Sequence, residues 1–580
     1  MLEKVTMTPS RTLISGDGVA ALLGLVGTAL AVISFSLDMY GGAPGMGRSE
    51  ELLLYVSAGL FAGATALKFA RRENLADLVR FLLVSFQLLL LAVVINRYEI
   101  LDVTFHKFLI GLAVSGFFGN YFLPKPARPA FFLLLSFAAM FGVFGPVLGS
   151  LMLVVGAGII AICHLPLSLW IRVALLLAVA VFFAVVRIDT ESFPLLAGLL
   201  PILPSIFMFR LLIYLYDSVH GKAPIDWPSR FSYFFMLPNF VFPFYPVVDS
   251  AQWRRSYYSA PELETYQAGV RWIFYGVIHL ILYRFVNYYL AMDPTTVDGF
   301  IEFLKYAAFN FALYLKVSGL FHLILGLLHL FGYHLPETHS RYYFSFSFIE
   351  FWRRINIYWK DFMQKMVFNP VFAWVKSRGA RHMQAIVAAI AAVFFVTWAL
   401  HAYQWFWLRG GLFLNIPDTL FWTILCVMLI VQTVEESRPA VRGAKAMIGP
   451  RTLRVVRTVA MMTFLVILWA MWSSASLEEW TSLLAAAGFV LLDPHSEITL
   501  TGAVQSLAFA GFLFVLAAIS AGFTFGLAPR GSHPVPRKEI GRKKDDRLIS
   551  PDLMILVCSC AVLLALTLPA LRSELPRTAQ

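Results

Sequence analysis

The chain has 580 residues, of which 59% are hydrophobic and 15% aromatic, but only 14% are charged, against about a quarter in soluble domains. A mean hydropathy of +0.74 and recurrent apolar runs of about twenty residues exclude a string of soluble domains, and the lack of period-two alternation excludes a transmembrane β-barrel. The formal charge of +12 fits Lys and Arg gathered in cytoplasmic loops rather than a nucleic-acid surface, because no soluble segment interleaves basic and aromatic residues.

The expectation is therefore an all-α polytopic membrane protein that binds no nucleic acid. Lys4 and Arg11 precede the first apolar run, which is too long for a removed signal peptide and lacks a clear cleavage site. It reads as a retained span. Candidate spans lie at about 18–39, 52–70, 76–95, 103–123, 129–147, 149–165, 171–187, 194–216, 268–291, 304–332, 383–408, 412–433, 453–472, 500–527 and 551–571. An alternative within 129–187 is that two of these spans form one re-entrant element. Basic loops (Arg71/Arg72, Lys125/Arg128, Lys222, Arg254/Arg255, Lys376/Arg378/Arg381, Arg438/Arg442/Lys445/Arg451 and 536–547) alternate with short or acidic ones (Glu50/Glu51, Asp189/Glu191, Asp293/Asp298/Glu302, Glu478/Glu479, Asp493/Glu497). Fifteen crossings with a cytoplasmic N-terminus place every basic loop in the cytoplasm and the C-terminus outside.

Two aromatic stretches break this rhythm. Residues 230–259 carry Pro238, Pro243 and Pro246, a spacing that removes several backbone hydrogen bonds from any continuous helix. Residues 341–376 are interrupted by Arg353, Arg354, Lys360, Asp361 and Lys365. Such backbone survives in a membrane when it packs in protein or lines a wet cavity, so both read as re-entrant or interfacial elements on the cytoplasmic side. The chain divides into N-terminal helices (1–193), a core (194–485) and C-terminal helices (486–580) with a basic cytoplasmic loop at 528–549.

Ionisable residues at membrane depth are functional candidates. His401, in "WALHAYQWFWLRGG" (398–411), is the sharpest, with Trp398, Tyr403, Gln404 and Trp405 within one turn. Its imidazole suits a general base, and packing against a neighbouring helix is the competing role. "EFWRRINIYWKD" (350–361) joins Trp352, Arg353, Arg354, Asn356 and Lys360 in about three turns. It is either an interfacial belt with snorkelling cations or a mouth for an anionic substrate. His322, His329, His334 and His339 form a third group; the first two share a helix face, but without an H-x-x-x-H pair no metal site is expected. The cysteines Cys163, Cys426, Cys558 and Cys560 have neither zinc-site nor disulfide-framework spacing. No P-loop, dinucleotide fingerprint or nucleophile elbow is present.

Five segments, taken in order, resemble the membrane-bound O-acyltransferase family. The likeness is strongest to the bacterial branch containing alginate O-acetyltransferases and the D-alanine transferases of wall polymers. They are "LPSIFMFRLLIYLYDSVHGK" (203–222, with Tyr214 and Asp217 in matching places), "FFMLPNFVFPFYPVVD" (234–249), the central block from Tyr314 to Met363 ending in "FWRRIN", "LHAYQWFWLRGG" (400–411) and "MWSSASLEEWTSLLA" (471–485). The resemblance implies a ring of tilted helices around a central tunnel, in a bacterial cytoplasmic membrane. It aligns His401 with the family's catalytic histidine and Asn356 with its second active-site position. It further implies an acyl-CoA or similar thioester as co-substrate, no permanently bound cofactor, a glycan or lipid acceptor, contact with membrane lipids and an extracytoplasmic partner protein. Arg353, Arg354, Lys360 and Trp352 would receive the donor, while Lys316, His322, Tyr403 and Gln404 would line the tunnel. The chain departs from the pattern at Lys316 and His322, where the alginate-type block has acidic residues, at Ile355 for Trp and at Ala402 for Gly. A transporter or flippase, or a catalytically inactive scaffold of the same family, is the alternative reading.

Overall fold

A computed structural model describes residues 16–40, 48–70, 75–97, 100, 103–200, 208–222, 226–237, 247–412, 414–438, 449–489 and 500–521. The prolines at 238, 243 and 246, the basic segment 528–549, the expected span at 551–571 and both C-terminal cysteines lie outside these residues. Every named element among the described residues is helical.

The N-terminal helices are α1 (Gly16–Tyr40), α2 (Arg48–Phe69), α3 (Leu75–Arg97) and α4 (Val103–Phe122). Aromatic contacts such as Phe61 on Phe118, 4.9 Å between ring centroids, bind α2 to α4. The next helix, α5 (Arg128–His164), is broken at Gly145, where φ is 72° and ψ 173° and Pro146 follows. A Cβ on Gly149 would stand 3.4 Å from the Cα of Phe141, and Phe235 touches both Phe137 and Gly156. A straight helix would hold residues 137 and 156 about 28 Å apart. The chain therefore folds back at Gly145, and the sequence reading of two spans here, 129–147 and 149–165, describes the two arms of this hairpin.

Next come α6 (Leu169–Ile188), α7 (Pro194–Ala197), α8 (Met208–Val219), α9 (Trp227–Phe234) and α10 (Ser250–Ser256). The expected span at 194–216 is not one helix. Its described parts are the single turn of α7 and the twelve residues of α8, with the α7 helix ended by Gly198. Residue Asp217 on α8 is fully buried; it accepts from the backbone N–H and hydroxyl of Ser250 (3.1 and 2.7 Å) and from Lys365 Nζ (2.6 Å).

Two long elements then pack closely, α11 (Glu262–Tyr289) and the pair α12 (Phe300–Ala312) and α13 (Tyr314–Leu330). The expected span at 304–332 is this pair, broken at Leu313. Small residues let the backbones of α11 and α13 approach. A Cβ on Gly326 would meet Gly269 O at 2.6 Å, and one on Gly276 would meet Gly319 O at 2.8 Å. The remaining helices are α14 (Phe348–Ile355), α15 (Ile357–Met363), a single π turn (Gln364–Phe368), α16 (Asn369–Ser377), α17 (His382–Arg409), α18 (Ile416–Glu436), α19 (Pro450–Ser473), α20 (Leu477–Ala486) and α21 (Leu500–Ser520).

Eleven helical segments among the described residues are long and apolar enough to cross a bilayer: α1, α2, α3, α5, α6, α11, the α12–α13 pair, α17, α18, α19 and α21. The buried side chains form two apolar clusters. One spans α1–α6, α8–α11, α13, α15 and one side of α17 (Val393, Trp407); the other is built from α12, α14, the opposite side of α17 (Ile390, Phe394) and α18–α21. Trp352 and Phe368 touch both. This seam is where the candidate site lies.

Candidate functional site

The segment 348–377 is re-entrant. At its start, the Ile349 N–H donates to Gln432 Oε1 near the last turn of α18. At its end, Phe372 packs on His382 at the first residue of α17. Between them, Trp359 Nε1 reaches Thr397 Oγ1 at 3.4 Å, about 22 Å along α17 from His382. Asn356 therefore stands near the tip of a hairpin that dips deep beside α17. The sequence accounts for the turn: Ser347 caps α14, and Asn356, with φ −149° and ψ 87°, ends α14 and caps α15. Its Oδ1 accepts from the Trp359 N–H at 3.1 Å. That bond fixes the amide orientation and leaves the NH₂ group as a donor.

His401 lies about 29 Å along α17, in the half of the helix nearer Arg409. Its side chain is only partly covered. Its neighbours are indoles from three other elements. The imidazole lies 4.9 Å from Trp422, 6.3 Å from Trp472 and 6.4 Å from Trp359, measured between ring centroids. Neither ring nitrogen has a hydrogen-bond partner among the described residues. Trp359 belongs to one apolar cluster and Trp422 and Trp472 to the other, so His401 sits on the seam. No direct contact joins His401 to Asn356; Trp359, the residue that Asn356 caps, bridges them.

The other expected residues divide sharply. Arg353 is exposed and makes no ion pair among the described residues, although it lies one turn from the hairpin tip. Arg354 is paired with Glu350, and Lys360 with Asp361 at 2.6 Å, so two of the three expected mouth cations are already neutralised. Trp352 is a wedge against Phe394 (4.9 Å). Gln404 shares the His401 face of α17 one turn on, whereas Tyr403 packs on Trp407 and on the N-terminal cluster, away from Trp422 and Trp472. Lys316 is exposed over the Tyr283 ring (5.4 Å), apart from the His401 surroundings.

His322 is buried in a polar group of its own. The glycine contacts of α11 and α13 bring it within 5.0 Å of Trp272, 5.1 Å of His279 and 5.8 Å of His339. His279 Nδ1 bonds Ser318 Oγ (2.9 Å), which bonds the Tyr342 hydroxyl (3.1 Å). The Tyr314 hydroxyl pairs with His339 Nε2 (2.9 Å) and donates to the Ile355 carbonyl (3.2 Å), immediately behind Asn356. Burial and the neighbouring imidazoles hold His339 well below the ordinary histidine range, so it is neutral. Among the described residues no three His, Cys, Asp or Glu side chains converge to hold a metal ion.

Sequence reasoning missed Trp359, Trp422, Trp472 and Asp418. Trp422 Nε1 (3.2 Å) and Trp472 Nε1 (2.6 Å) both donate to Asp418 Oδ1, which locks two walls around His401. The i, i+4 spacing of Asp418 and Trp422 was a signal; the approach of Trp472 from α19 had none. The resemblance to the acyltransferase segments was not matched by the comparisons: no family model matches the chain, and no curated protein matches it either. The class shown by the helices is an all-α, multi-pass integral membrane protein.

Proposed function

We propose that the chain is a membrane-embedded O-acyltransferase of the membrane-bound O-acyltransferase type, transferring an acyl group, expected to be acetyl, from a thioester to a hydroxyl of an exported or lipid-linked glycan. The observation that carries this reading is the meeting at one seam of His401, which has unpartnered ring nitrogens, and the capped Asn356 hairpin, forty-five positions earlier in the chain. In this reading His401 takes the proton of the acceptor hydroxyl as its oxygen attacks the thioester carbonyl. The Asn356 NH₂ donates to the oxyanion that develops there. As the C–S bond breaks, the imidazolium returns its proton to the leaving thiolate, which completes a single displacement. Arg353, the unpaired cation near the hairpin tip, attracts the donor phosphates.

The donor would enter from the basic end of the bundle, taken as cytoplasmic by the distribution of Lys and Arg, and the acceptor from the opposite end. The ring around a tunnel, the bacterial cytoplasmic membrane and the extracytoplasmic partner belong to the same proposal. The test is transfer of label from acetyl-CoA to a glycan acceptor by the purified full-length chain. We expect His401→Ala to lose about 10²- to 10⁴-fold in rate. Equal transfer by the parent and by His401→Ala would remove His401 from the chemistry.

A further inference from the structure

Around His401 the aromatic rings form a corner rather than a stack. Trp472 stands nearly perpendicular both to Trp422 (77°, 6.0 Å) and to His401 (82°, 6.3 Å), while Trp359 closes a third side at 68° to the imidazole. All four residues are only partly covered; one face of Trp472 is stacked on Phe421 (4.5 Å, 12°) and Trp422 packs against the imidazole, so each ring offers part of its surface. Indole faces carry negative potential and attract cations placed within about 6 Å of the ring centre.

The edge of this corner is anionic. Asp418 Oδ1 is held by two neutral indole N–H groups, which orient the carboxylate without cancelling its charge. Among the described residues no Lys, Arg or His forms an ion pair with Asp418. The cations at the ends of α17 and α6 are engaged elsewhere: Arg409 lies over Trp405 at 4.2 Å, and Arg187 Nε donates to the Phe406 carbonyl at 3.0 Å. A carboxylate inside a membrane protein ordinarily faces a partner charge or a wet cavity. Part-covered indoles beside a carboxylate that has no cationic partner among the described residues are the chemistry that recognises an alkylammonium group.

We propose that the Trp359–Trp422–Trp472 corner and Asp418 bind a positively charged amino group on the acceptor, beside the hydroxyl that His401 deprotonates. The role given to the ligand rests on the acyl-transfer reading, but the site itself is read by binding alone. An ammonium two carbons from a hydroxyl draws electron density from that oxygen and makes its proton easier to remove. The group that docks the acceptor therefore also prepares it. Two sources share this chemistry: a 2-amino sugar and a quaternary ammonium alcohol.

The experiment measures binding of choline, glucosamine, N-acetylglucosamine and glucose to the detergent-solubilised full-length chain, by intrinsic tryptophan fluorescence at constant ionic strength and with the glucosamine amine charged. Choline or glucosamine is expected to bind saturably, and whichever binds more tightly identifies the source, while the two uncharged sugars bind at least tenfold more weakly. Asp418→Asn keeps an oxygen for both indoles but removes the charge, and should weaken the cation about tenfold, equivalent to roughly 1.4 kcal/mol. Asp418→Glu should retain binding. Trp422→Leu removes a wall and leaves the charge, so it should weaken choline independently and keeps the test decisive if the Asp418→Asn protein does not fold. Absence of saturable binding by both cations, uncharged sugars binding as tightly, or an unchanged affinity in Asp418→Asn would each overturn the proposal. Failure of the transfer assay alters none of these readouts.

Discussion

Gly326→Ala probes the contact that brings α11 and α13 together. The added Cβ would lie 2.6 Å from Gly269 O, 2.6 Å from Ile273 Cγ1 and 2.7 Å from Ile273 N. Two of these three atoms are backbone, so a rotamer change cannot relieve the clash. An ordinary contact begins near 3.4 Å, so the helices must part by roughly 0.8 Å along this stretch. Overpacking of this kind costs about 1–3 kcal/mol. Alanine returns up to about 1 kcal/mol through its helix propensity. The net effect is a loss of about 1–2 kcal/mol. Gly511→Ala on α21 is the control, because a Cβ there meets nothing within 4 Å, and it should gain up to about 1 kcal/mol. Thermal unfolding in one detergent, followed by far-ultraviolet circular dichroism, should lower the midpoint for Gly326→Ala and hold or raise it for Gly511→Ala. A Gly326→Ala protein as stable as the parent would refute the close backbone contact.

Asn356→Asp keeps an oxygen to cap α15 but loses the NH₂ donor; its unfolding midpoint should stay near the parent's while transfer falls about 10²- to 10³-fold. Asn356→Ala loses both, adding about 1 kcal/mol of destabilisation measurable in the same melts. Lys365→Met strips the fully buried Asp217 of its cation and should cost about 3 kcal/mol in denaturant titrations, whatever the chain's activity. Arg353→Gln should raise the donor KM with kcat retained. Arg354→Gln, whose charge is already matched by Glu350, should leave KM unchanged and shift stability by about 0.5 kcal/mol.

Long apolar runs made most spans legible, because a helix that must satisfy its own backbone in lipid leaves a composition signal as long as the bilayer is thick. The same signal misled at 194–216, where hydropathy continues past the end of a single-turn helix at Gly198. The hairpin in α5 was written in the dipeptide Gly145-Pro146, a turn signal inside an apolar run. The re-entrant character of 341–376 was visible in its interrupting charges, but the pairing of Arg354 with Glu350 and of Lys360 with Asp361 was not anticipated. Around His401 the sequence offered only neighbours on the same helix. The structure instead supplies Trp359, Trp422 and Trp472 from three other elements, contacts between distant positions that no local period encodes.

The fold-back at Gly145 has a consequence for parity. Because α5 returns on itself, Arg128, joined to Tyr258, and His164, joined to Tyr214 and Trp227, emerge at one end of the bundle. Were residue 145 to continue the helix, His164 would instead stand at the opposite end of the bundle from Arg128. A single left-handed backbone angle thus acts as a sign in the topology: it decides at which end of the bundle the chain leaves α5 and begins α6.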